Sequence, residues 1–143
     1  MSALSDYLEA ALLDHVFRNT SYTRPTAIYV GLHTDAPGED TQANECDFAG
    51  YARQDAADGG TIDTGWTAVA DAATGTGKQT TNAQVLTFPP NGDGADVTVT
   101  HVALYDGPTG GNMLFWAALD APKLLETGDV LTFLAEDLVV SLD

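Results

Sequence analysis

The chain has 143 residues, of which 21 are Asp or Glu and only five are Lys or Arg, giving a net charge of −16. That length suits one domain with a core of its own, and a hydrophobic share of 44% argues against wholesale disorder. Five cations against 21 anions disfavour direct binding to nucleic acid, no apolar run reaches the ~20 residues of a membrane span, and a lone cysteine, Cys46, makes no internal disulfide.

The opening Met1-Ser-Ala-Leu-Ser-Asp6 has no basic region and no cleavage-like site, so no secretory signal is expected. Residues 2–18 read as one amphipathic helix. Ser2 or Ser5 can cap it, Asp6 and Glu9 suit its early turns, and Leu4, Leu8, Ala11, Leu12 and Val16 recur at helical spacing. Asn19 to Pro25 stops the helix, and Pro25 holds Arg24 extended. From there the pattern is β. Strands are expected at 27–34, 51–54, 66–70, 83–88, 97–105, 113–119, about 130–134 and 138–142. Turn signals separate them, the strongest being Asn91-Gly-Asp-Gly94 and Asp106-Gly-Pro-Thr-Gly-Gly-Asn112. The second of these makes 97–105 and 113–119 a hairpin. One helix and seven or eight short strands predict a mainly β chain: a single β-sandwich or jelly-roll-like domain over 1–143, with the helix at 2–18 and the β domain at 27–142.

No catalytic constellation emerges. His15, His33 and His101 each lie within a regular element beside apolar residues, where histidines are most often structural. No Gly-x-Ser-x-Gly elbow occurs. Ala73 to Thr80 superficially resembles a phosphate loop, but Ala72 stands where the first glycine is needed and Gln79 where Ser or Thr should follow Lys78. Cys46 reads as a free thiol. Asp93 and Asp96, on the Asn91–Asp96 turn, are weak candidates for an oxygen-ligand metal site, and solvated-turn chemistry explains them better. No cofactor is expected. Tyr51 and Trp66 are candidate glycan contacts. Phe115 and Trp116 are adjacent on a strand and must face opposite sides, so either both sheet faces are covered within the chain or a neighbouring subunit covers one.

The acid is mostly aspartate, 16 Asp to five Glu, and Lys78 and Lys123 are the only lysines. The acids are spread rather than blocked. Evenly scattered carboxylates with lysine lost are the pattern expected of a halophile, where net charge keeps the protein soluble in brine; an acidic mesophilic protein, or one that docks on a basic partner, is the alternative.

Leu4 to His15, Tyr22 to Thr34, Pro37-Gly-Glu-Asp40, Gly50-Tyr-Ala-Arg53, Thr100 to Asp106, Gly110 to Trp116 and Gly128 to Phe133 together resemble, in order and spacing, small virion proteins of tailed phages that are commonly labelled tail fibre proteins. That family has a short Gly/Ser-rich run before the Gly-Tyr-Ala-Arg segment, where this chain has Thr41 to Ala49. The resemblance implies no catalytic residue. It implies a structural virion protein, assembled in the host cytoplasm and exposed on the particle as a capsid decoration or turret, or as a short tail or fibre component. The acidity adds a halophilic host. Expected partners are further copies of the chain, in a trimer or pentamer, and other capsid or tail proteins, with no membrane and no nucleic acid. Leu4, Leu8, Leu12 and Trp116 are the candidate docking residues. A carbohydrate- or receptor-binding module of the tail is the alternative, and a hydrolase is a third class that would need a convergent acid pair.

Overall fold

A computed structural model describes residues 3–73 and 75–142. The elements in chain order are β1 (Ala3–Leu4), α1 (Asp6–Phe17), β2 (Tyr29–His33), β3 (Gln54–Asp55), a short 3-10 turn (Ile62–Thr64), β4 (Ala70–Asp71), β5 (Lys78–Thr81), β6 (Leu86–Thr87), β7 (Val97–Tyr105), β8 (Met113–Leu125), β9 (Thr132–Phe133) and β10 (Val139–Leu142). Among the described residues no helix is long and apolar enough to cross a membrane.

The helix is shorter than the sequence pattern predicts. Ser5 is the N-cap: its hydroxyl accepts from the Leu8 N–H at 3.3 Å and donates to the Met113 carbonyl on β8. Ser2 lies outside the described residues. Leu4 is therefore not on the helix but in β1, opposite Phe115. At the other end Asn19 adopts a left-handed backbone (φ 57°), which closes the helix after Phe17.

The strands form three antiparallel sheets. Five pair in the order β1-β8-β7-β2-β3, three in the order β10-β5-β4, and β6 pairs with β9. The β7–β8 hairpin forms as predicted, with Tyr105 opposite Met113. Strand β8 runs on to Leu125, past the expected end at Leu119. The extension contains a bulge that takes up Asp120 and Pro122: Thr100 alone separates Val99 from His101, while residues 119–122 separate their partners Ala118 and Lys123. The expected strand at 66–70 is reduced to a Trp66–Asn82 bridge and the two-residue β4, and β5 arises between the expected strands 66–70 and 83–88, where none was expected.

Alternation along the large sheet divides its two faces. Val30 and Leu32 of β2, Val102 and Leu104 of β7 and Phe115 of β8 point inward, to a core shared with Leu86, Phe88, Leu131, Phe133 and Leu138 of the other two sheets and their connections. This is a sandwich-like packing of sheet on sheet. Tyr29 and His33 of β2, Ala103 and Tyr105 of β7 and Trp116 of β8 belong to the opposite face, where Ala103, Tyr105 and Met113 form a second buried cluster against Tyr29 and Trp116. Phe115 and Trp116 are thus both partly covered within one chain, and their opposed directions no longer argue for a neighbouring subunit.

Candidate functional site

The outer face of the large sheet holds a connected polar group beneath the loops 34–50 and 106–112. Its centre is Arg53. The Nε and Nη2 groups donate to Glu45 Oε1 and Oε2, both at 2.7 Å, and Nη1 donates to the carbonyls of Gly107 at 3.0 Å and Gly110 at 2.8 Å. The guanidinium carbon lies 3.3 Å from the centre of the Tyr105 ring, a stacked cation–π contact. One side chain therefore ties the β2–β3 connection to the tip of the β7–β8 hairpin. The pair is well sheltered, with Arg53 only 6% and Glu45 25% exposed at the side chain.

Two tyrosines and a histidine extend the group. The Tyr51 hydroxyl donates to Glu45 Oε1 at 2.8 Å and accepts from the Leu32 N–H at 3.0 Å. His33 is fully buried. Its Nδ1 lies 2.8 Å from the Ala43 carbonyl, which can only accept, so the proton sits on Nδ1. Nε2 is then the acceptor for the Tyr105 hydroxyl, 2.9 Å away. Gly31 makes the room: a Cβ there would lie 3.0 Å from Tyr105 Cε2, 3.2 Å from Glu45 Oε1 and 3.3 Å from the Tyr51 oxygen.

The electrostatics follow from this wiring. Burial works against the Glu45 charge, but the hydrogen bonds from Arg53 and Tyr51 outweigh it and hold the carboxyl below its usual range. Burial likewise opposes the Arg53 charge, and Glu45 more than restores it. Burial pushes His33 down, so the ring is held neutral, and pushes the Tyr51 and Tyr105 hydroxyls up. Beside them the buried Cys46 thiol is raised to about 12, by burial first and then by Glu45 and Asp47, which keeps it protonated and unreactive at neutral pH. The hydrogen-bonding groups of this cluster are directed at one another. Its chemistry is that of a clamp on two loops.

Of the sequence candidates only Tyr51 belongs to this cluster. Tyr51 is half-buried and its hydroxyl is engaged within the clamp, and Trp66 is half-buried against the core with its Nε1 enclosed, so neither offers an open sugar platform. Asp93 acts in turn chemistry: one carboxylate oxygen accepts from the Ala49 N–H at 3.0 Å, its own N–H donates to Asn91 Oδ1, and its carbonyl accepts from Thr127. Asp96 is exposed, and no group of three or more His, Cys, Asp or Glu suited to a metal occurs among the described residues. Leu8 is buried, and Leu4 and Leu12 are half-buried, so those three side chains are used largely inside the chain. Asp120 and Asp137 line a groove of about 450 Å³ between β8 and β10, but both are exposed carboxylates on its rim.

The clamp gathers segments that the resemblance singled out: Tyr51 and Arg53 of the Gly50–Arg53 stretch, Tyr105 of the Thr100–Asp106 stretch and Gly110 of the following one. Comparison with known families agrees. A family model described as Podophage GP4 fiber I protein gp80 matches residues 3–141. The chain belongs to this fibre protein family. It is accordingly a phage fibre-type structural protein and a component of the virion, as the resemblance implied. No curated protein matches the chain. Within the gp80 family assignment the missed residue is Glu45. It lies in the segment where the chain departs from the Gly/Ser-rich run, and it supplies the counter-ion for Arg53. The available signal was scarcity: with five cations in 143 residues, an arginine directly after a β-like aromatic segment demands a named partner.

Proposed function

We propose that this gp80-family chain is a non-enzymatic, fibre-type component of a tailed virus, displayed on the particle surface and adapted to a halophilic host. The family match over 3–141 carries the reading. The clamp supports its non-enzymatic part, because the sheltered ionisable groups at the loop end are engaged with one another. The acidity supports the brine-exposed setting. The fibre-type position is preferred to a capsid decoration or turret, since the matching family is described as a fibre. The chain acts as one domain, associates with other virion proteins and assembles as a homo-oligomer.

The test is immunogold imaging of intact particles with antibody raised against the chain. Gold at the tail or its fibres is the expected result. Gold spread over the capsid surface would replace the fibre position by decoration, and no gold on intact or disrupted particles would remove the chain from the virion.

A further inference from the structure

The helix α1 has two apolar faces, and the protein covers only one. Leu8 is buried toward the sheet, whereas Leu13, Val16 and Phe17 are 59%, 67% and 76% exposed. Their i, i+3, i+4 spacing places these three side chains together on one side of the helix: at 100° per residue Leu13 and Phe17 point away from Leu8, and Val16 lies at the near edge of the same patch, about 80° round from Leu8. Apolar side chains scattered singly over a surface are ordinary. Three adjoining ones on one helix, including the most exposed phenylalanine of the chain, form a patch that calls for a partner.

The charge around the patch selects that partner. Glu9 and Asp14 flank it, Asp6 lies about two turns before Leu13, and the one cation beside it is Arg18, next to Phe17, all exposed. A carboxylate at the rim of a buried contact needs a cation opposite it, and at contact distance bulk salt screens this need only weakly. A second copy is poorly equipped to meet it. Of its five cations Arg53 is spent on Glu45 and Lys78 pairs with Asp71, which leaves Arg18, Arg24 and Lys123 on a chain of net charge −16.

We propose that the Leu13–Val16–Phe17 face of α1 is the attachment surface of the chain, and that its occupant is a different virion protein presenting an apolar groove with a basic rim. This is helix-in-groove recognition, with the three side chains as anchors and the acids fixing the orientation. It rests on the proposed role as a virion component, and it turns the opposite face of the helix outward from the one that Leu4, Leu8 and Leu12 define.

The experiment uses virus carrying variant genes and counts copies of the full chain per purified particle by quantitative mass spectrometry. Because the three residues are exposed, Leu13→Ser with Phe17→Ser should leave the melting temperature of the purified chain unchanged. The expected result is a drop in copies per particle of about ten-fold or more for that double variant. A smaller, several-fold drop is expected for Glu9→Gln with Asp14→Asn. Normal content in the apolar variant overturns the attachment surface while leaving the virion role intact, and normal content in the acid variant overturns the basic rim. If sedimentation shows that the apolar variant instead dissociates a homo-oligomer of the purified chain, the occupant is a second copy and the proposal fails. Absence of the chain from wild-type particles overturns the virion role and this proposal together.

Discussion

Arg53 makes four hydrogen bonds, two to one carboxylate and two to the carbonyls of one loop, and stacks on a tyrosine as well. Removing one partner of such a sheltered pair leaves the other charge largely desolvated and without its counter-ion. Arg53→Ala should therefore lower unfolding free energy by about 3 kcal/mol, measured by urea titration, whereas Arg53→Lys, which keeps the charge but not the fork, should recover only part of it. A loss below about 1 kcal/mol would show that the pair behaves as an exposed one. The same cluster sets an acid limit. The folded-state pKa of His33 lies below the unfolded 6.5, so the unfolded chain takes up the proton first as pH falls. Its contribution is complete above 6.5 and is lost on acidification through that value. Glu45, whose folded pKa is also depressed, adds a second loss as pH falls below its unfolded value of 4.5. Melting temperature in molar KCl, where general repulsion among the acids is screened, should fall as pH drops through 6.5 and again as it drops through 4.5. His33→Gln, which can still donate to Ala43 and accept from Tyr105, should flatten the first limb. An unchanged first limb in that variant would assign it to other groups.

At the scale of elements, the small sheets are held by buried amides more than by long ladders. Asn82 is fully buried, donates to the carbonyls of Gln84 and Leu134, and accepts from the Leu138 N–H, all at 2.8 Å. It joins the start of the β5–β6 connection to the turn before β10. Asn82→Ala would orphan those groups and should cost about 3 kcal/mol, read as a shift in the denaturation midpoint. A change within ±0.5 kcal/mol, the range of ordinary surface substitutions, would show that water replaces the amide. Asn82 also shows where the sequence stops being legible. Strong local patterns came through: the β-branched run 97–105 is β7 to the residue, the glycine-rich 106–112 is its turn, and Ser5 is one of the two serines named as caps. The weak elements came through in place but not in extent: the expected strands 51–54, 66–70, 83–88 and 130–134 overlap or contain β3, β4, β6 and β9, yet each of these is only two residues long, and for β3, β6 and β9 the length is set by pairing with partners that no local window of sequence contains. The helix misled for a related reason. Apolar residues at helical spacing were assigned to one face, yet Leu4 pairs with β8 and Val16 faces outward, a division fixed by where Ser5 meets Met113.

For the whole molecule the question is what 21 acids do on 7975 Å² of surface. Evenly spread, they lie roughly 20 Å apart, more than two Debye lengths at about 0.15 M salt, so simple repulsion between neighbours is mostly screened well below molar salt. Ordinary screening therefore predicts a melting temperature that rises with KCl and levels off by about 0.5 M. A halophilic protein continues to gain beyond that point. On the proposed reading the melting temperature should climb by a further 10 °C or so between about 0.5 and 3 M KCl, equivalent to a few kcal/mol at this chain length. It should do so in a single transition whose calorimetric and van't Hoff enthalpies agree, because one core runs from Val30 of β2 to Leu138 beside β10 and couples all three sheets. A plateau by 0.5 M would leave an acidic protein of ordinary surroundings and remove the halophilic host from the reading. Two separated transitions would divide the 143 residues and remove the single domain. The patch on α1 supplies an internal control. Leu13→Ser with Phe17→Ser changes no charge and no core contact, so the purified variant should follow the wild-type KCl curve even where its copies per particle fall. Separating the two readouts in this way distinguishes a surface adapted to brine from a surface built to hold a partner.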